Sequence, residues 1–263
     1  MTFGRWTAAM CLIVLAFQAH PRFRLAVAAN RDEAYARPTA PASWWPDAPD
    51  LLAGRDLRDG GTWMGVTRGG RFAAVTNYRE MTPPRPNAPS RGHLVDGFLR
   101  SAAAPMEYLA ELAGRAGEYN GFNLLVGDGD ALAWLSNRGD GPHALQPGIY
   151  GLSNALLDTP WPKVVRAREQ MRAVLDGSEE DVEPGLFRLL AERDPAPDTS
   201  LPDTGVGLER ERALSSLFIS SPMYGTRSST VLLVRGDGRA TFTERRVTPG
   251  AEEMGESRFD LAF

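Results

Sequence analysis

Residues 11–17, Cys-Leu-Ile-Val-Leu-Ala-Phe, form an unbroken apolar run. The run is too short for a typical helix, and a half-buried strand would show a polar residue at every second position. It therefore reads as a strand buried on both faces. Such a strand must lie in a sheet covered on each side, which restricts the folds open to the chain. Residues 25–29 make a second apolar strand, close enough across the His20-Pro21-Arg22 turn to form a hairpin with the first.

The rest of the chain supplies covers. Helical patterns run from an expected Ser90 N-cap through Leu94, Val95, Phe98 and Leu99, from Pro105 onward, over 161–175 and over 184–192. Strands are expected at 62–67 and 72–78 around Arg68-Gly69-Gly70. Others are expected at 122–126, 131–135, 148–154, 216–220, 230–235, 240–247 and 258–263. Residues 37–61, rich in Pro, Trp, Asp and Gly, read as a long functional loop, and 195–207 as the most mobile one. Strands, then helices, then strands, joined by hairpins, give an α+β class with largely antiparallel sheets sandwiched between helical layers.

Composition removes several function classes. A net charge of -4 offers no footprint for nucleic acid or an anionic membrane. One cysteine excludes a disulfide framework and a cysteine zinc site, and His20, His93 and His143 match no metal-ligand spacing. A reducing, cytoplasmic setting is expected. No integral membrane segment is expected, because a spanning helix needs roughly 20 apolar residues. Arg5 ahead of the apolar run loosely resembles a secretory signal, but no small-x-small cleavage site follows cleanly.

The single cysteine, Cys11, directly follows Met10. If synthesis starts at Met10 and that residue is removed, Cys11 carries a thiol and a free α-amine together, a nucleophile with its own base. The alternative is a small buried hydrophobe, the usual fate of a free cysteine. Asn30-Arg31-Asp32-Glu33 ends the second strand, and a hairpin would bring it beside Cys11. There Arg31 could stabilise thiolate and Asp32 hold the amine; otherwise the four residues form a solvated turn. Asn77 and Asn154 each end a strand, either as oxyanion-hole donors or as turn formers. Arg227 precedes an apolar strand, as a second cation near the thiol or as a surface turn residue. Trp44, Trp45, Trp63 and Trp161 either line an apolar cleft or pack the core.

Taken together, Met10-Cys11, Asn30-Arg31-Asp32-Glu33, Gly61-Thr62-Trp63-Met64-Gly65, Thr76-Asn77-Tyr78, Tyr119-Asn120-Gly121-Phe122-Asn123-Leu124, Tyr150-Gly151-Leu152-Ser153-Asn154 and Thr226-Arg227-Ser228-Ser229-Thr230 resemble the NRDE family, also called the transport and Golgi organisation protein 2 family. The resemblance runs from Met10 nearly to the C-terminus, leaving 1–9 as an extension and 10–263 as one domain. That family in turn resembles the N-terminal-nucleophile hydrolases of the penicillin V acylase and bile-salt hydrolase branch. The resemblance implies a four-layer αββα sandwich, Cys11 as nucleophile, and supporting roles for Arg31, Asp32, the Asn77-Tyr78 backbone, Asn154 and Arg227. In the acylase branch the arginine and aspartate are separated; here Arg31 and Asp32 are adjacent. Two functions follow as expectations. One is hydrolysis of a linear amide bond by an N-terminal cysteine. The other is non-enzymatic binding or trafficking of an apolar cargo such as haem or an acyl-CoA. Neither requires a cofactor or metal, and haem enters only as cargo.

Overall fold

The computed structural model describes residues 11–248, 250 and 253–263. Met10 and the 1–9 extension lie outside the described residues. The first sheet is built around the doubly apolar run. Strand β1 (Leu12–Phe17) pairs on one side with β2 (Phe23–Ala34) and on the other with β10 (Gly148–Leu152). Strands β11 (Tyr224–Arg235), β12 (Arg239–Val247) and β13 (Glu253–Ala262) complete the order β10-β1-β2-β11-β12-β13. The second sheet is a meander in chain order: β3 (Thr39–Trp45), β4 (Ala48–Asp56), β5 (Met64–Thr67), β6 (Phe72–Asn77), β7 (Phe122–Gly127), β8 (Leu132–Ser136) and β9 (Gly141–Ala144). Every pairing described is antiparallel.

Side-chain alternation along β1 explains the layers. Ile13, Leu15 and Phe17 enter the core between the sheets, against Leu52, Val66 and Phe72. Leu12, Val14 and Ala16 face the other way, against α3 (Pro162–Leu175) and α4 (Glu179–Leu190). The outer face of the second sheet is covered by α1 (Gly92–Arg100) and α2 (Pro105–Ala113), through Leu94, Phe98, Leu109 and Leu112. A short α5 (Leu208–Leu214) lies before β11. The result is the αββα sandwich expected.

Three local expectations are corrected. Residues 37–61 are mostly the β3–β4 hairpin, whose bulged register tolerates proline and a tight Asp47 turn that composition alone disguises. Residues 216–220 make only an isolated bridge, Ser220 to Gly225, while β11 starts six residues before 230, at Tyr224. Helix α4 begins at Glu179 instead of Pro184, so the proline lies inside it.

The sheets are stitched together at one end. Thr76 Oγ1 donates to the Ser153 carbonyl at 2.6 Å, Asn154 Nδ2 to the Asn77 carbonyl at 2.8 Å, and Arg79 N–H to the Asn154 carbonyl at 2.7 Å. Buried Asn123 adds a bond to the Ala155 carbonyl at 3.0 Å. These bonds cross from the end of β6 and the start of β7 to the segment after β10, where β1 also begins.

Candidate functional site

Strand register brings the predicted residues together. Leu12 faces Asn30 across the β1–β2 pairing, and Ile13 faces Leu152 across β1–β10. Continued one step past Leu12, the β1–β2 register sets Cys11 opposite Arg31, and on the other side Cys11 meets the Ser153-Asn154 segment that follows β10. The Ser153 hydroxyl fixes that end of β1 by donating to the Cys11 carbonyl at 3.0 Å.

Period-two alternation then divides the Asn-Arg-Asp-Glu stretch between the faces of β2. Arg31 and Glu33 share the inter-sheet face with Cys11 and line a cleft of about 310 Å³. Asn30 and Asp32 point into the helical layer. Asn30 donates to the carbonyls of Leu190 and Leu217 at 2.9 and 2.8 Å, and accepts from the Ser229 hydroxyl at 2.6 Å, so its work is to moor that layer. Asp32, fully buried, accepts from Thr226 Oγ1 at 2.6 Å through one oxygen, while Oδ2 has no hydrogen-bond partner among the described residues. Adjacency of Arg31 and Asp32 thus puts them on opposite sides of one strand.

Asn77 also lines the cleft. Its neighbour Tyr78 commits its backbone N–H to the Gly121 carbonyl at 2.9 Å, so that N–H is not available as an oxyanion donor. Asn154 lies behind, holding the Asn77 carbonyl and accepting from Ser153 Oγ at 3.1 Å. Arg227 is set apart. It is the extra residue of a bulge between Thr226 and Ser228 in β11, and its guanidinium bonds the carbonyls of Ala34, Tyr35 and Arg37. It ties down the chain leaving β2 and does not line the cleft.

The tryptophans are mostly packing residues. Trp45 is buried and donates to the Ala53 carbonyl at 3.1 Å, Trp44 packs edge-on to Phe259, and Trp161 lies under Arg79. Of the four considered, Trp63 alone lines the cleft.

Two residues escaped sequence reasoning. Lys163 is 2% exposed, and its Nζ has no hydrogen-bond partner among the described residues. Its signal was available, because Lys163 continues the apolar stripe Ala167, Met171 and Leu175 at four-residue spacing. Arg91 lines the cleft from the start of α1 and, among the described residues, its guanidinium donates only to the Gly121 carbonyl, at 3.0 Å. Ser90, expected to cap that helix, is not its cap; the N-cap is Arg91, with no side-chain capping bond.

The electrostatics follow from burial. Removal from water pushes the Cys11 thiol up to about 12, and the Asp32 charge adds to the rise; a backbone hydrogen bond from Asp32 and the Arg31 charge oppose it. Burial raises Asp32 to about 7, against the pull of Lys163, Thr226 and Arg31. It lowers Lys163 to about 8, against Asp32. Both shifts disfavour two full charges inside the helical layer.

Fold and site thus define a four-layer αββα protein whose single cysteine opens the first strand and lines an arginine-rich cleft. The chain belongs to the Transport and Golgi organisation 2 family, which it matches over residues 10–249. It is 40% identical over 257 residues to the Transport and Golgi organization protein 2 homolog of Bos taurus, covering 90% of this chain and 92% of that protein. The Homo sapiens homolog is 36% identical over 258 residues with the same coverage, and the Drosophila melanogaster protein 27% over 274 residues, covering 94% and 95%. Among solved structures, the Caenorhabditis elegans N-acylethanolamine-hydrolyzing acid amidase (NAAA) ortholog aligns with a TM-score of 0.47 and 11% identity, over 85% of this chain and 92% of that one. No described helix is long and apolar enough to cross a membrane.

Proposed function

We propose that the cleft is the active site of a hydrolase that cleaves linear amide bonds with Cys11 as an N-terminal nucleophile. The observation that carries the reading is the place of Cys11. It heads β1 and meets the cleft beside Arg31 and Asn77.

The raised thiol sets the mechanism. A thiol near 12 is not a preformed thiolate, so its proton must leave as the sulfur attacks. With Met10 removed, the Cys11 α-amine, of ordinary pKa about 7.7–8.0, is the nearest base. Asp32, behind β2 with an Oδ2 that has no hydrogen-bond partner among the described residues, is the nearby negative charge that favours the resulting ammonium. The Asn77 side-chain amide has no hydrogen-bond partner among the described residues and lines the cleft, so it is the donor for the oxyanion. Asn154 holds its backbone in place. The sulfur bonds to the amide carbon, the C–N bond breaks, and the ammonium returns its proton to the leaving amine. Water then splits the thioester into a carboxylic acid and the free thiol. A reducing compartment such as the cytoplasm would keep that thiol available and belongs to the same reading. A passive, wholly apolar cargo draws less support, because the lining is mainly polar.

The test is intact mass and N-terminal sequencing of the protein made from its own gene, followed by screening of linear amides. A mature chain beginning at Cys11 is expected, with turnover lost in Cys11→Ala and reduced about 10²–10³-fold in Asn77→Ala. Amidase activity unchanged in Cys11→Ala would overturn the proposal.

A further inference from the structure

Arginines outnumber the lining carboxylates of the cleft, Glu33, Asp56 and Asp59. Most of that excess is accounted for. Arg37 holds Asp56 and Asp59 at 2.5 and 2.6 Å, with Glu33 at 3.8 Å. Arg55 pairs with Asp47 at 2.6 Å, and Arg58 lies 3.9 Å from Asp59. Arg85 is exposed to water and bonds two carbonyls. Two guanidiniums remain. Arg31, only 6% exposed, donates to Thr39 Oγ1 at 2.9 Å and has no carboxylate within 4.0 Å among the described residues. Among the same residues the Arg91 guanidinium bonds the Gly121 carbonyl and no carboxylate.

Both line the same cleft as the thiol, and the charge of Arg31 acts on Cys11. Burial weakens Arg91 as a cation, and the charges of Glu33 and Glu80 offset that only in part, neither of them within ion-pair distance of its guanidinium among the described residues. Arg91 is also rigidly placed. The backbones of 61–62 and 91–92 touch so closely that a Cβ on Gly61 would lie 2.7 Å from the Gly92 carbonyl carbon, and one on Gly92 3.1 Å from Thr62 N. This contact fixes the start of α1 against the second sheet, and the uncapped first turn of that nine-residue helix opens on the cleft beside Arg91. Close glycine packing holds a guanidinium that pairs directly with no carboxylate among the described residues.

We infer that Arg31 and Arg91 together seat an anionic group, a carboxylate or a phosphate, of the molecule presented to Cys11. Planar guanidinium forks suit both oxyanions, and the ligand supplies the direct ion-pair partner that neither guanidinium has among the described residues. The inference rests on the cleft being the functional site and extends the hydrolase reading by requiring a negatively charged substrate.

Calorimetric titration of Cys11→Ala, which can bind but not turn over, tests it without relying on catalysis. The probes are N-hexanoylglycine, its neutral analogue N-hexanoylglycinamide, and hexyl phosphate. At least one anion should bind about tenfold or more tightly than the neutral amide, with affinity falling as salt rises. Adding Arg91→Met or Arg31→Met should reduce that preference to about twofold or less, while Arg91→Lys keeps part of it. Circular dichroism of each variant separates loss of binding from loss of fold. Equal affinity for anion and neutral amide, no binding of either anion, or a preference that survives in folded Arg91→Met and Arg31→Met proteins overturns the inference. A protein that selects anions but never cleaves an amide keeps the seat and loses the hydrolase reading. One that cleaves neutral amides without anion preference does the reverse.

Discussion

Asp32 is the residue whose chemistry is most altered by where the chain puts it. Its folded pKa, about 7, lies above the ordinary 3.8, so between those values the folded protein keeps a proton that the unfolded chain has released. Stability from this group is therefore fully present below the unfolded value and is lost as pH rises through the folded one. Asp32→Asn removes that titration while leaving a partner for the Thr226 hydroxyl. Urea midpoints of the wild-type protein, relative to Asp32→Asn, should fall between about pH 4 and pH 7.5; a constant difference over that range would contradict a raised Asp32. Sequence could name Asp32 and Arg31, because a polar cluster at the end of an apolar strand stands out. It could not name Arg91, since an arginine before an amphipathic helix is usually solvated, and its significance comes from a contact between two glycines far apart in the chain. Nor could it show that Arg227 belongs to a bulge, because a single extra residue leaves the composition of β11 unchanged.

At the scale of elements, the close approach of β10 and α3 matters most to the site. A Cβ on Gly151 would lie 2.7 Å from Val164 Cγ1 and 3.1 Å from Arg168 Cγ. Val164 is buried and β-branched, with little freedom to turn aside. Gly151→Ala should displace the start of α3 and cost about 1–3 kcal/mol by urea denaturation, carrying Lys163 away from Asp32 as it does so. A midpoint equal to wild type would mean that α3 yields freely. The elements that were legible have one dominant signal. β1 is apolar on both faces, and α2 starts at a proline before an apolar stripe. The β3–β4 hairpin was hidden because its partner strand supplies the order that its Pro, Asp and Trp content seems to deny. Residues 216–220 looked like a strand because Leu217, Phe218 and Ile219 are buried, yet they pack without a ladder.

At the scale of the molecule, the two sheets are joined at the site end by polar bonds, and a buried ion pair reinforces them. Arg79, whose backbone N–H reaches the Asn154 carbonyl, pairs with Glu211 of α5 at 2.8 Å, each side chain 4% exposed. Glu211→Ala would leave a buried guanidinium without its carboxylate and should destabilise the protein by about 3–5 kcal/mol, read from chemical denaturation. A loss under about 1 kcal/mol would place the pair among surface bridges of little consequence. The division of Asn-Arg-Asp-Glu between the faces of β2 has a further consequence at this scale. The strand works as a partition one backbone thick, with a wet chamber on one side and a sealed compartment on the other. Atoms do not cross it, but an electric field does. A ligand can touch Arg31 and never meet Asp32, yet the charge of that sealed carboxylate adds to burial in holding the proton on the sulfur. Change inside the helical layer can therefore retune the reactivity of the cleft while every surface a ligand meets stays the same.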